Sequence, residues 1–70
     1  MGFLLIEYPT VREVFIDDVQ CGSTRTPFQV SNGYHWIDLG KNYDYSPSAQ
    51  RINVQGEPYQ APVRASFRPL

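Results

Sequence analysis

The chain holds one thiol, Cys21, and one imidazole, His35. A thiolate beside an imidazole is the smallest set that could run nucleophilic catalysis. No spacing in the sequence names a third group to orient the ring. His35 instead follows the glycine of Asn32-Gly33 by two residues and shares a strand phase with Ile37 and Leu39, which predicts a partly buried ring bonded to a turn carbonyl. Asp17, Asp18, Asp38 and Asp44 offer oxygen ligands, yet a calcium loop needs several at short regular spacing and only one adjacent pair exists. They read as turn residues. Ser23, Ser31, Ser46 and Ser48 lack the Gly-x-Ser-x-Gly context of a serine nucleophile, and no glycine-rich phosphate loop is present. A single cysteine completes neither an internal disulfide nor a cysteine-based zinc site. No catalytic residue, metal or cofactor is expected.

The aromatic residues carry the remaining signal. Val14, Ile16, Phe28, Val30, Ile37, Leu39, Ile52 and Val54 fill the core that the alternation implies, so Phe15, Tyr34, Trp36, Tyr43, Tyr45 and Tyr59 cannot all join them. Rigid rings on an outer sheet face give large contact area at low entropy cost, and these six are the candidate binding residues. The competing arrangement has the first strand or the segment from Tyr59 to Phe67 folding over that face as a second inner layer.

These residues must be held by a small all-β domain. Seventy residues bury only ~60% of their unfolded surface, which limits the chain to one domain, 1–70. Three alanines, four leucines and one lysine stand against ten Val and Ile, ten aromatics, six prolines and five glycines, a balance that disfavours helix throughout. Six basic against seven acidic residues give a net charge of −1 and no general attraction to nucleic acid. The longest apolar run, Phe3-Leu4-Leu5-Ile6, falls far short of the ~20 residues of a membrane-spanning helix.

Six to seven short strands are expected, bounded by turn residues. Phe3 to Tyr8 ends at Pro9, and Glu13 to Asp17 places Val14 and Ile16 opposite Phe15. Asp17-Asp18 predicts a tight hairpin turn into Val19 to Cys21. Phe28 to Val30 is followed by Asn32-Gly33, the strongest hairpin signal in the chain. Tyr34 to Leu39 alternates with His35, Ile37 and Leu39 inward and Tyr34, Trp36 and Asp38 outward. Gly40 to Ser48 reads as a patternless loop, and Ala49 to Gln55 as a strand. Residues 56–70 contain Pro58, Pro62 and Pro69 and predict an edge strand or extended arm.

"FLLIEYP", "VFIDDVQCGST", Thr26-Pro27 and Gly33-Tyr34-His35, with Ile37, Leu39, Asn42-Tyr43 and "RINV", resemble the PEGA domain of bacteria and archaea. The likeness covers Gly2 to Gln55. It departs at Asp18, where the family has a turn glycine, at Arg25, which interrupts Gly-x-Thr-Pro and suggests a bulge or longer crossover, and at Asn42. The resemblance implies an immunoglobulin-like or transthyretin-like β-sandwich without catalytic activity, and it carries no ligand residues.

The expectation from sequence is a non-catalytic structural or protein-interaction module. Its partner would be another protein or a second copy, met through the outer aromatic face or an open sheet edge. Glycan binding is the alternative, with rings stacking on sugar faces. Localisation stays open between a cytoplasmic protein, expected from Met1 without a leader, and the extracytoplasmic setting that the resemblance implies.

Overall fold

A computed structural model describes residues 1–70 as nine strands without helix: β1 (Gly2–Glu7), β2 (Glu13–Ile16), β3 (Val19–Ser23), β4 (Phe28–Val30), β5 (Gly33–Asp38), β6 (Tyr45–Ser46), β7 (Gln50–Val54), β8 (Val63–Ser66) and β9 (Arg68–Pro69). Seven of these have three or more residues. They form a three-stranded sheet in the order β4-β1-β8, a four-stranded sheet in the order β3-β2-β5-β7, and the short pair β6-β9. Period-two alternation turns Leu4 and Ile6 of β1 inward against Val14, Ile16, Ile37 and Val54 of the four-stranded sheet, and all six are buried. Full burial of such a side chain contributes about 1.5–3 kcal/mol. Phe28, Ile52 and Val63 pack partly buried against this core.

Asp17 and Asp18 take φ of 49° and 68°, the pair of positive values that a two-residue type I′ turn needs to match strand twist. The register of β2 on β3 shifts between Val14 and Phe15, so Cys21 bulges from the edge strand. Arg25, at φ 70°, turns the chain between β3 and β4, carrying it from one sheet to the other. Thr24, fully buried, closes the adjoining loop by donating to Thr10 O at 2.7 Å and accepting from Arg12 N at 2.8 Å.

Two expectations are corrected, and one competing arrangement is not the one adopted. The Asn32-Gly33 signal does not make a hairpin: β4 pairs with β1, β5 pairs with β2 and β7, and of the two turn residues only Gly33 takes positive φ. Gly40 to Ser48 is not all loop, because Tyr45 and Ser46 pair with Pro69 and Arg68. The segment Tyr59 to Phe67 does not cover Trp36; it supplies β8, which lies parallel to β1 at the edge of the other sheet and buries Ala65 and Phe67.

Candidate functional site

The outer face of the four-stranded sheet gathers most of the expected residues. Because Ile37 points into the core, its neighbours on β5 point outward, leaving Trp36 55% and Tyr34 61% exposed. Trp36 is the register partner of Arg51 on β7, and the Arg51 guanidinium lies over the Tyr34 ring, 4.3 Å from its centroid. On the other side of β5, Phe15 of β2 is paired with Asp38. There the face deepens into a cleft of about 420 Å³ lined by Phe15, Asp18, Asp38, Gly40, Lys41 and Tyr43.

Gly40 has two reasons to be glycine. Its φ is 96°, and a Cβ there would stand 3.1 Å from the Phe15 ring, so any larger residue would press on the ring that lines the cleft. The turn is set by Asp38, whose Oδ1 accepts from Gly40 N at 2.9 Å.

Trp36 is exposed as a ring but fixed as a backbone. Asp17 N donates to Trp36 O at 2.9 Å, and Trp36 N donates to Asp17 Oδ1 at 3.0 Å. The second Asp17 oxygen lies 2.8 Å from His35 Nδ1, while His35 Nε2 lies 2.8 Å from Ser31 O. Two acceptors facing one ring favour the imidazolium, which donates from both nitrogens. The Asp17 hydrogen bond, followed by that to Ser31, holds the His35 pKa above its ordinary value against the opposing effect of burial. The His35 hydrogen bond, followed by the Trp36 amide, holds Asp17 below the usual carboxylate range. His35 thus bonds a turn carbonyl, as its position implied, and neither ring nitrogen is left for the Cys21 thiol, which is exposed on β3.

Of the six aromatic candidates, Tyr34 and Trp36 share the outer side of β5, Phe15 and Tyr43 line the cleft beside it, and two lie elsewhere. Tyr45 is a core residue, 2% exposed. Its hydroxyl donates to Gly40 O at 2.5 Å and accepts from Leu39 N at 3.3 Å, the tyrosine-corner arrangement that pins an upstream turn. Its ring meets Phe67 edge-on at 5.6 Å and lies 5.3 Å from the Arg12 guanidinium, which is bonded in turn to Asp44 at 2.6 Å. Tyr59 stands edge-on to Phe3 at 5.3 Å, on the outer side of the three-stranded sheet. Arg51, Asp18, Asp38, Gly40 and Lys41 were not among the candidates. The outward phase of Arg51 follows from the alternation with Ile52, but nothing local says which strand it neighbours.

No protein-family model matches the chain, and no curated protein or solved structure matches it.

Proposed function

We propose that this chain is a non-catalytic protein-contact module whose working surface is the outer face of the four-stranded sheet, centred on Trp36. The observation that carries this reading is a half-exposed indole on a backbone clamped at both its N–H and its C=O by Asp17. Exposed aromatic side chains on a rigid support lose little entropy when a partner covers them. Tyr34, 61% exposed, extends the same face, and Tyr43, equally exposed, lines the cleft beside it. Trp36→Ser should leave the thermal midpoint nearly unchanged and abolish association seen by sedimentation at high concentration. Unfolding of this variant would show Trp36 to be a packing residue and would end the proposal.

One observation favours glycan binding as a second reading. The cleft combines two rings, Phe15 and Tyr43, with acceptors on Asp18 and Asp38 and a donor on Lys41, a set that can stack on a pyranose and bond its hydroxyls. Titration with neutral oligosaccharides should then shift the Gly40 amide resonance. An unmoved resonance at millimolar sugar removes this reading and leaves the protein-contact reading untouched.

A further inference from the structure

His35 is the single histidine of the chain, the side-chain type whose charge changes near neutral pH. Its side chain is only 12% exposed and ties together three parts of the fold. The ring stands on β5. Its Nδ1 lies 2.8 Å from Asp17 Oδ2 in the turn between β2 and β3, and its Nε2 lies 2.8 Å from Ser31 O in the link between β4 and β5. That link carries the chain from the three-stranded sheet to the four-stranded one. Both partners are acceptors, so the arrangement is complete only for an imidazolium, which has two N–H donors. A neutral ring has one.

Ser31 offers a second group to the same nitrogen. Its Oγ lies 3.4 Å from Nε2, and a hydroxyl, unlike a carbonyl, can donate as well as accept. The Nδ1 proton faces a carboxylate and makes the stronger, charge-assisted bond, so the proton that leaves for solvent is the one on Nε2. A bare Nε2 then meets the Ser31 carbonyl lone pair to lone pair, while the hydroxyl needs only a small movement to close on it. The link has room for that movement. Ser31 and Asn32 are exposed, and Gly33, at φ 117°, has open space where a Cβ would stand. Asp17 supplies the one charge that acts on the ring. Asp18 beside it lines the cleft, the register partner of His35 on β7 is Ile52, Arg51 next to that lies over Tyr34, and Ser31 and Asn32 of the link carry no charge.

We infer that Ser31, His35 and Asp17 form a proton-operated switch: the charged ring holds the Ser31 carbonyl, and the neutral ring releases that carbonyl to water and accepts from the Ser31 hydroxyl instead, shifting the link that leads into β5. The Asp17 bonds to the Trp36 backbone are common to both states, so the switch does not depend on any partner at Trp36. The raised His35 pKa, owed first to Asp17 and then to the Ser31 carbonyl, agrees with a fold built around the charged form.

The experiment is heteronuclear NMR of the imidazole nitrogens, followed through the titration of the ring in the wild type and in Ser31→Ala. The neutral wild-type ring should carry its proton on Nδ1, opposite to the tautomer that free histidine prefers. The Ser31 carbonyl carbon should move upfield with the same midpoint as the ring, because its hydrogen bond is lost. Ser31→Ala removes the donor that serves the neutral ring and keeps the carbonyl that serves the charged one, so it should raise the midpoint. A neutral ring protonated on Nε2 overturns the inference, and this result needs no variant. A Ser31 carbonyl resonance that does not follow the ring overturns it too, as does a midpoint that Ser31→Ala lowers or leaves unchanged.

Discussion

Each of the two larger sheets has aromatic residues on its outer face, and the chain covers part of only one of them. On the three-stranded sheet, Phe3 points away from the core, and the segment after β7 returns over it. Phe3 N donates to Glu57 O at 2.9 Å, and the Tyr59 ring stands against the Phe3 ring. Phe3 ends half-buried. On the four-stranded sheet no segment returns, and Trp36 and Tyr34 keep more than half of their surface in water. The segment at Glu57 and Tyr59 lies over one face, and no segment lies over the other. The difference lies in connectivity: β8 and β9 follow the turn at Gly56, which leads away from β5 and towards β1.

The comparison is sharpest where substitutions on the two sides of one strand are set against each other. Ile37→Ala, on the inner side of β5 and fully buried, should cost about 2–5 kcal/mol in denaturant unfolding, a large part of the stability of so small a domain. Ile52→Ala, half-buried on β7, should cost less, and Asn53→Ala next to it little. Equal costs at Ile52 and Asn53 would mean that the inner and outer faces are assigned the wrong way round. Thr24→Val should follow at about 1–3 kcal/mol, because it strands the Arg12 amide and the Thr10 carbonyl, and Thr24→Ser should recover most of the loss.

A smaller effect separates the two outer faces directly. Tyr59→Ala removes an edge-on aromatic pair and should cost about 0.5–1.5 kcal/mol beyond the lost area, whereas Trp36→Ser, with no such cover, should stay within about 0.5 kcal/mol of wild type. Matching losses at the two positions would dissolve the distinction between covered and open face.

The smallest effect is a pH dependence at the clamp behind Trp36. His35 is raised above its ordinary 6.5, so its contribution is complete below that value and is lost as pH rises through the raised folded-state pKa. Asp17 is lowered below 3.8, so its contribution is complete above that value and is lost as pH falls through the lowered one. The pair therefore stabilises fully between 3.8 and 6.5. The thermal midpoint should decline as pH rises past 6.5 and through the raised His35 value, and His35→Gln should flatten that decline. A decline of equal slope in the variant would assign it to other groups.

Much of this layout was legible in the residues. Strand identity and facing followed from alternation, above all from Tyr34 to Leu39, and the Asp17-Asp18 turn followed from residue types that tolerate positive φ. What escaped was set by contacts distant in sequence. Asn32-Gly33 carries a local hairpin signal, but β4 pairs with β1, a partner no local window contains. Tyr45 sits among Asn, Asp and Ser residues without periodicity, and its burial is fixed by Arg12, Phe67 and the carbonyl of Gly40. The cleft was illegible for the same reason: Phe15, Asp38 and Tyr43 are neighbours only because β2 pairs with β5 and Tyr45 anchors the loop that carries Tyr43.

Trp36 is the single tryptophan, so its fluorescence reads the open face without labelling. In dilute solution its emission should be that of a water-exposed indole, readily quenched by acrylamide. With rising protein concentration the emission should move to shorter wavelength and the quenching should fall. An emission already at short wavelength and shielded from acrylamide in dilute solution would place Trp36 under the chain's own cover and contradict the open face on which the proposed contact rests.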